Sequence, residues 1–245
     1  MSYKQGAQTA FATGLISLGV VGLIYGDFAE IWQFVPASVP GRQALAYASA
    51  ALMLLCGLGL LVQRTESLSA RVLFPFIALL VLALKLPPFY KHPLVEVAWQ
   101  AMSEILVLLA AAWVLAAASQ SGVRLAQLLF GFALIPLGLA HFVYLKLTAP
   151  LVPAWLPYHT GWAYLTGAAQ IAAGLGVLFG IYAGLAAALE AAMLTAFTVL
   201  VWIPELIAKP SSQGAWSELT ISWAVSAGAW VVAASIEKNA HPGSG

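Results

Sequence analysis

Three ionisable residues lie inside long apolar stretches of the chain, and two more follow the first stretch. Lys85, Glu104 and His141 are flanked by Leu, Ala, Val and Phe, whereas Asp27 and Glu30 stand just beyond a run of apolar residues. Ionisable groups in apolar spans are costly and therefore candidates for function. A lysine or histidine can donate a hydrogen bond to a carbonyl group, and a glutamate can exchange a proton. We expect these five primary candidates to line one polar cavity.

Structural roles are open for the same residues. Glu104 and Lys85 could form a neutralised ion pair that holds two neighbouring helices together. His141 could hydrogen-bond a backbone carbonyl, and solvation at an interface would account for Asp27 and Glu30.

Four secondary candidates are Glu190, Gln170, Trp202 and Tyr164. Glu190 could relay a proton, or it could donate a hydrogen bond between helices in its neutral form. The aromatic residues could form the wall of a ligand site.

Metal and prosthetic-group chemistry is not expected. A haem needs axial ligands, and the nearest histidine pair is His141 with His159, which follows Pro157 in a surface connection. The chain has no zinc-ligand spacing, glycine-rich phosphate loop or serine nucleophile motif. Its single cysteine, Cys56, excludes an intramolecular disulfide.

The composition predicts a membrane protein. Of 245 residues, 62% are hydrophobic and 8% are charged, whereas soluble domains carry about 25% charged residues. The net charge is +1 and there is no basic stripe, so a nucleic-acid partner is not expected and the lipid bilayer is. Runs of about 20 apolar residues can cross a bilayer as helices. Eight such runs occur, at about 9–28, 44–62, 71–88, 97–118, 124–145, 161–181, 183–207 and 216–236.

An internal repeat organises these runs. When the chain is shifted by 117 residues, Gly14 falls on Gly131 and Trp99 on Trp216, and the segment V-P-A-S-V-P at 35–40 falls on V-P-A-W-L-P at 152–157. Four spans per half is an even number, so both halves would enter the membrane in the same direction. The predicted fold is all-α, with eight transmembrane helices in two parallel-repeat four-helix bundles. The predicted units are 1–120, 121–238 and a disordered tail, 239–245.

The repeat also singles out residues that the shared architecture does not require, because their counterparts have a different character. These pairs are Glu104 with Ile221, Glu190 with Leu73, His141 with Ile24, Lys85 with Trp202, and Gln170 with Met53.

Several segments of the second half resemble the DoxX-like membrane proteins. They are G-L-A-H-F at 138–142, L-V-P-A-W-L-P at 151–157, W-A-Y-L-T-G-A-A-Q-I-A-A-G-L-G at 162–176, L-E-A-A-M-L at 189–194 and W-S-E-L at 216–219. The resemblance covers 124–236, and 9–118 looks like a diverged second copy. It implies four-helix units of the kind found in thiosulfate:quinone oxidoreductase and other membrane redox complexes. Trp202 and Gln170 depart from it, because histidines are expected there.

These observations predict a quinone- or lipophile-binding subunit that works with a redox partner and is not a complete enzyme alone. The expected location is the bacterial cytoplasmic membrane. Basic residues are evenly divided between the two faces, and the long connections holding Arg42 and Lys146 favour cytoplasmic termini. Two alternatives are a structural subunit of a larger membrane assembly and a transporter of lipids or small molecules.

Overall fold

A computed structural model describes residues 2–29 and 32–240, and the regular secondary structure in this part of the chain is all helical, with no strand. Eight of its helices are long and apolar enough to cross a membrane. A short helix, Leu145–Thr148, lies between the fifth and sixth of them. The long helices are α1 Tyr3–Tyr25, α2 Arg42–Leu60, α3 Glu66–Lys91, α4 Glu96–Ala116, α5 Gln120–Val143, α6 His159–Phe179, α7 Ala183–Ala208 and α8 Gln213–Ala240.

Local sequence signals account for where the helices begin and end. Ser2 caps α1 in a capping box with Gln5. The helix therefore begins at Tyr3, before the apolar run at 9–28 from which the sequence analysis predicts it. Ser119 caps the amide of Gly122 at the start of α5. Gly26 and Gly180 end α1 and α6 with φ of 64° and 75°, a conformation that glycine adopts without steric cost.

The predicted tail begins within the last helix. Helix α8 continues to Ala240, so 239 and 240 are helical. The rest of the predicted tail, 241–245, lies outside the described residues.

Helices α3 and α7 each contain a π-helical segment, Val81–Lys85 and Thr198–Trp202. Pro87 and Pro204 follow these segments. Proline lacks an N–H and its ring crowds the preceding turn, and a π segment is one way in which a helix accommodates such a disturbance. Such segments occur often at functional sites.

The second four helices begin at a constant distance from the first four. The starting residues pair as Tyr3 with Gln120, Arg42 with His159, Glu66 with Ala183, and Glu96 with Gln213, each 117 residues apart. The two π segments have the same separation. A hydrogen bond also recurs: the indole of Trp99 donates to the Pro93 carbonyl at 2.8 Å, and that of Trp216 to the Pro210 carbonyl at 2.9 Å.

The helices of each half pack on those of the other half. Helix α1 lies against α2 and α8, and α5 lies against α6 and α4, while α4 and α8 meet at the centre. Contacts within each half, such as α2 with α3 and α6 with α7, occur together with these contacts across the halves. Small residues allow these contacts: Gly14 lies against Ala224, and Gly228 lies between Phe11 and Ala111. The core is centred on this junction.

The outer faces of the helices are apolar. Leu79 and Phe179 expose 59% and 73% of their surfaces, and Leu82 and Leu189 are exposed as well. Because consecutive helices alternate in direction, the long α1–α2 and α5–α6 connections lie at one end of the molecule, together with the α3–α4 and α7–α8 connections. We call this the elbow end, and the opposite end the terminus end.

Candidate functional site

Three ionisable side chains lie near the elbow end on α3, α4 and α8, where α4 contacts both other helices. Lys85 is the last residue of the π segment in α3 and is only 7% exposed. Glu104 on α4 and Glu218 on α8 are half-buried. Glu104 interacts electrostatically with both Lys85 and Glu218. We call these three residues the lysine–glutamate cluster.

The cluster lies well inside the helices. With a rise of 1.5 Å per residue, Lys85 is about 9 Å from the elbow end of α3, and Glu104 is about 12 Å from the elbow end of α4. Glu218 is about 8 Å from the start of α8 on the same basis. Lys85 points inward while its neighbours Leu82 and Leu86 are exposed, so the π segment carries a cation on its buried face.

Lys85 has no carboxylate in direct contact among the described residues. Within residues 2–29 and 32–240, the ion pairs shorter than 4.0 Å are Arg42 with Asp27 and Lys209 with Glu205. Lys85 and Glu104 therefore interact at longer range than a salt bridge, and the ammonium group retains donors for another oxygen.

An aromatic group adjoins the cluster. The rings of Phe89 and Trp99 pack edge to face with centroids 4.5 Å apart, and Phe132 on α5 lies 6.0 Å from Trp99. Phe89 is one turn beyond Lys85, and Trp99 precedes Glu104 on the same helix. Phe132 is exposed at the outer surface, so the group extends from the cluster towards the outside of the helices.

His141 lies in a different environment, between α5, α6 and α7. Its Nδ1 is 3.2 Å from the Thr166 hydroxyl, and its ring stacks on Phe197 at 6.0 Å. The Thr166 hydroxyl donates to carbonyls of its own helix, which leaves its oxygen to accept from Nδ1–H. The contacts of His141 are thus with α6 and α7, whereas the lysine–glutamate cluster is formed by α3, α4 and α8.

Asp27 lies beside a third polar region, between α1, α2 and α8. It pairs with Arg42, whose Nε donates to the Val35 carbonyl at 2.9 Å. A cavity of about 20 Å³ adjoins Asp27, large enough for about one water molecule. Trp32 also lines it, and the buried Nε1 of this indole has no hydrogen-bond partner within 2–29 and 32–240. Glu30 lies outside the described residues.

The structure therefore groups the primary candidates differently from the single predicted cavity. It places Lys85 and Glu104 together, with Asp27 and His141 in separate surroundings. Glu218 joins the cluster although the sequence analysis did not select it. The counterpart of Glu218 in the repeat is the apolar Ala101, so the comparison that singles out Glu104 could also have selected Glu218. The position of Glu218 near the start of a helix instead favours an interfacial role.

The secondary candidates lie in the second half. Gln170 and Glu190 are buried and hydrogen-bonded to each other at 3.3 Å. Trp202 ends the π segment of α7, where Lys85 ends that of α3, and is half-buried. Tyr164 is exposed and stacks on Phe142 at 5.4 Å.

A larger cavity, about 350 Å³, opens at the terminus end. Helices α3, α4 and α8, which form the lysine–glutamate cluster, also line this cavity through Glu66, Leu115 and Ser235. Polar side chains from α1, Lys4 and Gln8, complete one wall. Across the described ranges, no three His, Cys, Asp or Glu side chains are close enough together to hold a metal ion.

Comparison with known proteins identifies a family model that matches part of the second half. Residues 129–233 match the model of a domain of unknown function, DUF8561, which runs from within α5 to within α8. No curated protein and no solved structure matches the chain.

Proposed function

We propose that the eight long helices cross a membrane as two tandem, parallel copies of a DoxX-like unit. The lengths and apolar character of the helices, their exposed apolar outer faces and the constant separation of their starts support this arrangement. Exposed leucine and phenylalanine side chains are unfavourable in water, whereas the lipid tails of a bilayer would contact them favourably. The proposed location is the bacterial cytoplasmic membrane, with both termini in the cytoplasm.

We further propose that the chain binds a quinone or a similar lipophile at the lysine–glutamate cluster. The observation that carries this proposal is a buried lysine that forms no direct ion pair within the described residues and interacts with the Glu104 carboxyl. Glu104 in turn interacts with Glu218, and an aromatic pair begins one helical turn beyond the lysine. Ligand sites combine an apolar wall with a few polar groups that set orientation. Phe89 and Trp99 would contact the ring, while Lys85 would donate to a carbonyl oxygen.

The electrons would come from a redox partner. Reduction of a quinone to a quinol takes up two electrons and two protons, and Glu104 and Glu218 would pass protons to the two oxygens. Relative to the sequence-based hypothesis, Glu218 is added and His141 is removed, because the His141 ring lies beside Thr166 and Phe197 and away from the cluster.

The test is mass spectrometry of organic extracts from gently purified protein, with an absorption spectrum of the same sample. We expect a stoichiometric quinone or other lipophile in the wild type, and its loss in Lys85→Met and Glu104→Gln. Lys91→Met is the matched control, because Lys91 ends the same helix but is exposed, and it should retain the ligand. Absence of a bound lipophile, or equal retention in Lys85→Met, would overturn the proposal.

A transporter is the second candidate, because α3, α4 and α8 line a cavity at one end and a charged cluster near the other. In alternating access, a ligand site opens first to one side of the membrane and then to the other. A cavity and a charged cluster near opposite ends of the same helices are compatible with that mechanism. Movement of a labelled lipophile across liposomes containing the protein would favour this function. A stably bound protein partner without bound lipophile or transport would indicate a structural subunit instead.

A further inference from the structure

Gln170 and Glu190 form a buried polar pair between α6 and α7. They are 3% and 1% exposed, and the amide Nε2 of Gln170 donates to Glu190 Oε1 at 3.3 Å. The pair is separate from the lysine–glutamate cluster, because Glu190 lies about 27 Å from the elbow end of α7 by helical rise. The proposed function does not use it.

The remaining polar atom of each side chain, the amide oxygen of Gln170 and the second carboxyl oxygen of Glu190, is left without a partner among the described residues. Gln170 Oε1 and Glu190 Oε2 are both buried and accept no hydrogen bond from the part of the chain that the structure describes. Both atoms are acceptors when the carboxyl is ionised, so neither can satisfy the other. Burying unpaired polar atoms and an uncompensated charge is strongly unfavourable.

We propose that Glu190 is a proton-binding site, with the proton on Oε2 donated to Gln170 Oε1. One proton removes the charge and pairs both unsatisfied oxygens. The result is a reciprocal ring, in which the amide N–H donates to one carboxyl oxygen and the carboxyl O–H donates to the amide oxygen. This ring joins α6 to α7 by two hydrogen bonds.

The charged groups whose side chains the structure describes on α5 and α8 are directed elsewhere. On α5, the Arg124 guanidinium donates to the carbonyls of Val177 and Leu178, and His141 contacts Thr166. On α8, Glu218 belongs to the lysine–glutamate cluster. A proton therefore neutralises Glu190 where these side chains do not.

The first half provides an internal comparison. The counterparts of Gln170 and Glu190 are Met53 and Leu73, which are 2% and 0% exposed. The same positions thus pack as an apolar pair in α2 and α3. Replacing a buried polar pair by apolar residues of similar volume is often neutral or stabilising, whereas removal of one partner is costly.

Infrared difference spectroscopy of the full-length protein at neutral pH tests the proposal. We expect the wild type to show a C=O band of a protonated carboxyl group, and we expect this band to be absent from Glu190→Gln. The amide introduced by that substitution can still form a similar hydrogen-bonded ring with Gln170. The band should shift in Gln170→Met, because the acid then loses its acceptor. Glu205→Gln, at an exposed end of α7, is the control and should leave it unchanged.

Thermal unfolding supplies a second measurement. Gln170→Met should unfold at a lower temperature than the wild type, and the double variant Gln170→Met, Glu190→Leu should recover at least the wild-type temperature. The proposal is overturned if Glu190→Gln removes carboxylate bands instead, or if the double variant is the least stable. Carboxylate bands that respond to exchange of sodium for choline would identify a bound cation rather than a proton.

Discussion

At the scale of single residues, the chain contains polar groups in three kinds of surroundings. Lys85 is buried and interacts at longer range with Glu104, which also interacts with Glu218, and Glu190 is paired with an amide. Asp27 instead forms a direct ion pair with Arg42 in the α1–α2 connection. Both partners of that pair are partly exposed to the surroundings, so this interaction belongs to the local structure of the connection.

Replacement of the carboxylate should therefore have a small effect. We expect Asp27→Asn to lower the free energy of unfolding by about 0.2–1 kcal/mol, because partly exposed ion pairs are screened by solvent. Arg42→Ala should cost more, since Arg42 also bonds the Val35 carbonyl and lies over the Phe28 ring. Thermal unfolding in detergent at low and high salt measures both, and the Asp27→Asn effect should shrink with salt. An Asp27→Asn effect that exceeds that of Arg42→Ala would contradict this assignment.

At the scale of elements, glycines set the distance between α5 and α6. A Cβ added to Gly131 would lie 2.9 Å from the Gly174 carbonyl oxygen, and one added to Gly138 would lie 2.6 Å from that of Gly167. The reverse contacts are equally short. Small residues that face each other allow helix backbones to approach closely in membrane proteins.

A large side chain at this contact should separate the helices. We expect Gly138→Leu to destabilise the protein by about 1–3 kcal/mol, as overpacking does elsewhere. It should also disturb His141 and Gln170, which adjoin the same contact. Gly161→Leu is the control, because an added Cβ there meets nothing closer than 3.7 Å. Equal unfolding temperatures for the two variants would show that the close approach of α5 and α6 is unimportant.

At the scale of the whole molecule, the two halves complete each other. Helix α1 packs on α8 and α5 packs on α4, and α4 and α8 are in contact. The lysine–glutamate cluster depends on this arrangement, because Lys85 and Glu104 come from the first half and Glu218 from the second. Either half alone would lack a member of the cluster.

Two halves produced as separate chains should therefore associate. We expect residues 1–118 and 119–245, when co-expressed, to purify together through a tag on the first chain. Gly14→Leu should reduce recovery of the second chain, because an added Cβ would lie 2.8 Å from Ala224 Cα. Gly161→Leu again serves as the control. Independent purification of the two halves would contradict the observed packing.

The sequence by itself determined the eight helices, because each depends on a continuous apolar run bounded by breakers. Their limits moved by several residues where side chains intervened: Ser2 extends α1 to Tyr3, and α3 runs from Glu66 to Lys91 rather than over 71–88. The proximity of Lys85 and Glu104 was also predictable, because α3 and α4 are consecutive and antiparallel. Selection of the pair Gln170 and Glu190 followed from their apolar counterparts in the repeat.

Only the tertiary structure decided which helices became neighbours across the halves. Helical periodicity shows which face of a helix is apolar, but two apolar faces can pack on several partners with similar hydrophobic gain. The contact of α1 with α8 depends on how Gly14 fits against Ala224. This packing of the helices places Glu218 near Glu104, and it places His141 beside Thr166 and Phe197. Side-chain neighbours depend on which helices pack together rather than on distance along the chain.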